Sequence, residues 1–468
     1  MSTRILRTEL RRSTAPWTCL ALAVLTLALL YLLPGPWAKG TGAWDQQWQG
    51  LAQWQRFMLM LTWPVVVGLG AWQGTRQRRS RMDEVLSSTP RSSWQRSATL
   101  AAAVAIGLTV AYTALFAVGA AQVASATSYF SLSWLAVFVV GVLALVAGSL
   151  LGMGLGHLLP YMVTPPLVAV GGYALVMLLL NIEISVEADS DPWRMKVALL
   201  SPGLDGAESA YRLVAHQVSL AQALWFLGIA ATGFILLAAR GSWTRIASAV
   251  PGLLGGVLAM VLLPGQASAA YPHDTQAAAL VCDEDGPRVC VTRAHEHLLD
   301  DLAGTARQAL AKLAVLPEAP TSVEEVPAFG DEEQASLPRT ADTVSVSSDI
   351  LMQFEQSGEG ESDGADGLLM ALLAGAGTPA CGVEETEISA RIVTANWLLG
   401  AELQPMPILY PWISEDSSAY QEMVRPAWET LRSLPREEQI RRVAAVREAG
   451  LTCESGQLDL LTQGVNPQ

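Results

Sequence analysis

Side chains able to ligate a metal, attack a carbonyl or exchange a proton gather after residue 270 of this 468-residue chain. The stretch RAHEHLLDD carries His295 and His297 on either side of Glu296. A zinc peptidase needs histidines four apart on one helix face, H-E-x-x-H, so that both rings reach one ion. His295 and His297 are two apart and point in different directions on a helix, so catalytic zinc is not expected. Neither a G-x-S-x-G nucleophile elbow nor a G-x-x-x-x-G-K-[ST] phosphate loop occurs. The acidic runs FGDEEQ and GEGESDGAD lack the alternating ligands of a calcium loop and read as solvated charge. The expectation is a chain that is no enzyme and holds no metal or cofactor of its own.

The cysteines carry the other chemistry. Cys19 lies in an apolar run, whereas Cys282, Cys290, Cys381 and Cys453 fall together after residue 265, an even number suited to disulfides in an oxidising compartment. Four cysteines allow three pairings. VCDEDGPRVC reads as two short strands around an Asp285-Gly286 turn, which favours Cys282 with Cys290 and leaves Cys381 for Cys453. Zinc, with His273, His295 and His297 nearby, is the competing reading, without the C-x-x-C spacing that would support it.

The elements that position these residues divide the chain. Residues 1–265 hold 17 Lys/Arg against 10 Asp/Glu, and residues 266–468 hold 12 against 33, so the net charge of -14 splits into +7 and -21. An acidic second half of that size repels nucleic-acid phosphates and anionic lipid, and nucleic acid is excluded as a partner. Spanning a bilayer takes about 20 mostly apolar residues per helix. Seven stretches meet or approach this length: 17–33, 57–72, 100–123, 134–158, 167–182, 220–239 and 249–264. Trp17, Trp37, Trp54, Trp72, Trp134 and Trp243 lie at or beside their ends, as interfacial tryptophans do. Arginines before span one, between spans two and three and between spans six and seven fall on one side if the spans alternate, and the positive-inside rule makes that side the cytoplasm. The expected location is the plasma membrane, with the amino terminus cytoplasmic and residues 266–468 extracytoplasmic.

Ionisable residues are rare inside the spans, with Arg56, His157 and Glu183 assigned to boundaries, which disfavours a proton-driven carrier. Gly148, Gly152 and Gly156 stand four apart in GSLLGMGLG, a ridge that admits close helix approach. Packing within one protomer is the simpler reading, a dimer face the alternative. Between spans two and three, Met82, Val85, Leu86 and Thr89 share one helical face, with Arg81, Asp83 and Glu84 elsewhere and Pro90 ending the turn. Such a stripe is buried either in the lipid interface or in a groove on a soluble partner.

The segment EVLSSTPRS resembles the E-x-L-L-S-T-P-x-S segment between spans two and three of permeases of the type-2 ATP-binding-cassette exporter family. Glu84, Leu86, Ser88, Thr89 and Pro90 match; Arg81 stands where glycine is usual, and Ser87 where an apolar residue is common. RILRTELRRS at the amino end is similar to the family's interfacial elbow helix, and PWRMKVALLSPGLDGAESAY to its loop of short helices between spans five and six. The resemblance covers residues 1–245 and implies a six-span permease working as a dimer with a second copy or homologue in the lipid bilayer. It also implies a separate cytoplasmic ATPase that holds ATP and docks on the Met82, Glu84, Val85, Leu86, Thr89, Pro90 surface.

The expected fold is therefore mainly α. It comprises an elbow helix (1–15), a six-span core (16–245) with a coupling loop (74–98), a seventh span (246–265) and a small disulfide-linked helical α+β exterior domain (266–468). The last is expected to carry a flexible acidic insert at 317–366 and a helix opening at Pro435 and stopping at Gly450. Ala267, Ser268 and Ala269 after span seven resemble a leader-peptidase site, which leaves release of the exterior domain as an option. The alternative functions are a membrane-anchored ligand-binding or sensory protein and a tethered hydrolase.

Overall fold

The computed structural model describes residues 24, 26–28, 47–79, 93–127, 129–185, 191–204, 211–239, 241–327, 337–348, 350–351, 362–400, 402–406, 409–410 and 413–462. The elbow segment and the Met82, Glu84, Val85, Leu86, Thr89, Pro90 stripe lie outside the described residues, as does span one apart from a few positions. The chain forms two compact units: one of residues Met1–Ala126 and Phe130–His273, the other of Thr127–Tyr129 and Asp274–Gln468.

The first unit is helical: α1 (Trp48–Phe57), α2 (Leu59–Arg79), α3 (Ser93–Ala126), α4 (Ser133–Leu158), α5 (Thr164–Ser185), α6 (Pro192–Ala198), α7 (His216–Ala238), α8 (Ser242–Ala247) and α9 (Ala249–Leu262). Among the described residues five helices are long and apolar enough to cross a membrane, or six if α1 and α2 count as one span bent by 48°. Pro64, whose ring crowds the carbonyl one turn earlier, sits just past the break at Met58.

Helix α4 lies at the centre because its glycines let neighbours reach its backbone. A Cβ on Gly152 or Gly156 would collide with the Val67 or Ala71 carbonyl of α2, and one on Gly148 with the Trp63 indole. The ridge therefore packs within this protomer. Across that contact Trp63 Nε1 donates to the Ala144 carbonyl at 3.0 Å and Thr75 Oγ1 to the Gly156 carbonyl at 3.3 Å. Gly152→Leu is expected to cost about 2–3 kcal/mol by overpacking, read as a lower melting temperature of the purified protein. Gly171→Leu, where an added Cβ meets nothing within 4 Å, is the unaffected control.

The second unit is built on a four-stranded sheet of β1 (Leu280–Asp283), β2 (Val289–Thr292), β3 (Ser322–Val326) and β4 (Thr343–Ser347), in that order. β1 and β2 are antiparallel, with Cys282 opposite Cys290, and the other two pairs are parallel. Gly286 takes φ +118° in the turn, a conformation that L side chains rarely adopt. Asp283 accepts from the Asp285 backbone N–H and the Arg307 guanidinium, which hold its carboxyl below the usual carboxylate range. Disulfides join Cys282 to Cys290 and Cys381 to Cys453, the pairing favoured by the hairpin.

Parallel strands need a crossover, and α10 (Leu299–Leu313) supplies the one between β2 and β3, burying Leu302, Ala306, Leu310 and Leu313. The remaining helices are α11 (Ser362–Leu373), α12 (Glu385–Leu399), α13 (Arg425–Ser433), α14 (Arg436–Thr452) and α15 (Gln457–Thr462). They share one core with Val289, Val323, Val344 and Val346 of the sheet. Arg391 and Arg447 reach into this core and donate to main-chain carbonyls, Arg391 to Thr378 at 2.7 Å and Arg447 to Ala376 at 2.7 Å beside the tight turn at Ala374–Ala376, and Arg447 also to Ala341 before β4 at 2.6 Å. Burial draws the Arg447 pKa below its ordinary value.

Two expectations for this unit are corrected. The segment read as a flexible insert, 317–366, contains β3 and β4: burial alternates along SVEEV and TVSVS, but Glu325 takes an inward position of the first, which disguises the period-two pattern. Gly450 does not stop its helix. A Cβ there would collide with Thr378 Oγ1, so the glycine serves close packing while α14 runs on to Thr452 and ends at the disulfide-bonded Cys453.

Candidate functional site

In the first unit, polar side chains collect where the bent span breaks. Gln49, Gln53 and Arg56 follow each other at i, i+4 and i+7, a stripe on one face of α1, and all three are buried. Arg56 is 0% exposed, so it is not the boundary residue expected from its place just ahead of the apolar run. The helix simply begins earlier, at Trp48. Arg56 Nε donates to the Pro202 carbonyl at 3.0 Å and Nη2 to Gln222 Oε1 of α7 at 3.3 Å. Gln222 Nε2 donates in turn to the Leu199 carbonyl at 2.7 Å. Gln53 Nε2 reaches the Arg212 carbonyl at 3.4 Å, and Trp225 Nε1 the Leu200 carbonyl at 3.1 Å.

The Leu199, Leu200 and Pro202 carbonyls that receive these bonds belong to the segment after α6, within the sequence PWRMKVALLSPGLDGAESAY. Asp191 caps α6 by accepting from the Trp193 and Arg194 backbone N–H groups. The chain then turns inward, burying Met195, Ala198, Leu199, Ser201 and Leu204. Gly203 passes beside the break, where an added Cβ would lie 3.5 Å from Met60 N and 3.6 Å from the Phe57 carbonyl oxygen. Beside this cluster a small, mostly apolar cavity of about 30 Å³ is lined by Gln55, Met58, Leu108, Tyr112 and Leu145 among others, and Gln55 Nε2 donates to the Tyr112 carbonyl at 2.8 Å. These groups hold a backbone segment against the break.

The segment after α9 is also tied into this unit. The Ala215 N–H donates to the Ala270 carbonyl at 3.0 Å, the Leu213 N–H to the Pro272 carbonyl at 2.9 Å, and Arg212 pairs with His273 in an antiparallel bridge. Ala270 is buried. A peptidase must take up extended, accessible backbone, so Ala267–Ala270 is a poor cleavage site. An immunoblot of a carboxyl-terminal tag is expected to show the full-chain mass alone; a band near the mass of residues 270–468 would contradict this.

Among the described residues the second unit holds a buried ionisable pair. Glu325 on β3 and His295 in the short helix Arg293–Leu298 are each 1% exposed, with His295 Nδ1 2.6 Å from Glu325 Oε1. Glu325 also accepts from the Thr292 N–H at 2.7 Å and from Ser348 Oγ at 2.6 Å. The carboxylate thus gathers donors from β2, the following turn and the residue after β4. The Ser348 hydroxyl binds the carboxylate, and Thr292 Oγ1 lies 3.5 Å from His295 Nδ1. His297 lies 6.4 Å from His295 between ring centroids, and among the described residues no group of three His, Cys, Asp or Glu gathers into a metal site.

Sequence reasoning located the cysteines and the glycine ridge but missed Arg56, Gln222 and Glu325. A polar stripe at helical spacing beside an apolar run would have flagged the first, and the alternation of Val323 with Glu325 the last. Gln222 carries no local signal. Comparison with family models, curated proteins and solved structures finds no match for this chain.

Proposed function

We propose that this chain is the membrane-spanning permease subunit of an ATP-driven exporter, working as a dimer with a cytoplasmic ATP-binding-cassette ATPase. The observation that carries the reading is the EVLSSTPRS segment between the second and third spans, with Met82, Glu84, Val85, Leu86, Thr89 and Pro90 as the docking surface. In support, six apolar helical spans follow span one of the sequence when α1 and α2 are counted together. Seven crossings put the amino terminus and the second unit on opposite sides, and the arginine distribution makes the second unit extracytoplasmic. Two disulfides in that unit accord with an oxidising compartment. The chain has no phosphate loop, so the energy comes from the partner. ATP closes the paired ATPases, and a rigid helix gripped in their groove shifts the spans.

The competing reading, a membrane-anchored ligand-binding protein, draws on the separate core of the second unit. Purification from native membranes in mild detergent separates the two. The exporter reading expects vanadate-sensitive ATP hydrolysis in the eluate, and an eluate with no ATPase polypeptide rejects it.

A further inference from the structure

We infer that Arg56 is a latch that ties the break in the second span to the segment 199–204, so that releasing it exposes Ser201 and opens the outer end of the apolar unit. The latch itself stands on geometry; the role given to its opening rests on the exporter reading. A break in a spanning helix leaves backbone groups without helical partners, tolerated only where protein or a water-filled cavity covers them. Here the cover is the chain around Gly203, lying against Phe57 and Met60. It is held by a circuit of three parts: Arg56 to Pro202, Arg56 to Gln222 and Gln222 back to Leu199.

A guanidinium is held in apolar surroundings only by such acceptors, because charge is costly there. Its bonds therefore break together when the helices that carry them separate. Arg56 rides on α1, Gln222 on α7 and both carbonyls on the segment after α6, so a relative shift of α1 and α7 opens the circuit. Gly141 of α4 leaves the room in which the Arg56 side chain and the Tyr112 ring meet; a Cβ there would lie 2.8 Å from Arg56 Cδ.

Ser201 is the reporter. It is 0% exposed, and its hydroxyl makes no hydrogen bond among the described residues, so cysteine replaces it without breaking one. In a full-length Cys19→Ala background, purified in detergent, Ser201→Cys is treated with a water-soluble maleimide. The expected result is slow labelling with Arg56 present and at least ten-fold faster labelling with Arg56→Met or Gln222→Leu. A control, Ala147→Cys in the buried face of α4, should stay slow in all of them. Equal Ser201→Cys rates with and without Arg56, or acceleration of both cysteines together, overturns the latch. If Arg56→Met does not fold, Gln222→Leu decides the matter alone. With the partner ATPase bound, ATP should speed Ser201→Cys labelling. Acceleration by the variants but not by ATP keeps the latch and removes its assignment to the transport cycle.

Discussion

Replacing Glu325 with alanine is expected to unfold the second unit or bring it close to unfolding. Glu325 is fully enclosed and satisfies the Thr292 N–H, the Ser348 hydroxyl and the His295 imidazole at once. Alanine leaves these buried donors without their acceptor and opens a void where the carboxylate stood. Breaking a buried pair by removing one partner costs about 3–5 kcal/mol. Total domain stability is about 5–15 kcal/mol, so a large part of the margin is lost. Glu325→Gln retains the volume and one acceptor oxygen and should fall between the two. The measurement is calorimetric unfolding of the full chain, with limited proteolysis reporting on residues 274–468. A melting profile for Glu325→Ala equal to that of the parent chain would show that the network contributes nothing.

The second large effect is expected in the loop between the second and third spans. By sequence spacing, Met82, Val85, Leu86 and Thr89 would share one face if this segment is helical, as the exporter proposal requires. Burying a Val or Leu side chain is worth about 1.5–3 kcal/mol each. Placing carboxylates at two of these positions removes that gain and adds the cost of desolvating charge. Val85→Asp with Leu86→Asp should therefore lower recovery of the ATPase with the tagged chain by at least ten-fold, while membrane insertion and the elution profile of the chain stay unchanged. Insertion is driven by the spans, which the substitutions do not touch. If the stripe instead rests on the lipid interface, ATPase recovery is unchanged, and docking is assigned to the wrong residues.

Much of the architecture was legible because it rests on local signals. Long apolar runs and the Cys282–Cys290 hairpin with its Asp285-Gly286 turn each carry their own periodicity or turn chemistry. Strands β3 and β4 were missed because composition was weighed above alternation: five-residue strands inside a Pro-, Glu- and Ser-rich stretch offer few apolar positions, and Glu325 occupies one of them. Gly450 was misread because a glycine near a helix end serves either as a cap or as a notch, and Thr378, which fills the notch, is 72 residues away. Arg56 illustrates the same limit. The polar stripe at helical spacing hints at its burial, but its partners Pro202 and Gln222 are more than 140 residues distant in sequence and are identified only by the assembled fold.

The central proposal is that this chain works as a paired permease driven by separate ATP-binding subunits. Native mass spectrometry of the complex released gently from its own membranes tests that claim most directly. The expected species contains two permease chains of 49.8 kDa, or one with a homologous permease, together with ATP-binding subunits that dissociate selectively in the Val85→Asp, Leu86→Asp variant. A folded 49.8 kDa chain recovered alone, under conditions in which it stays monodisperse and its disulfides are intact, would contradict it.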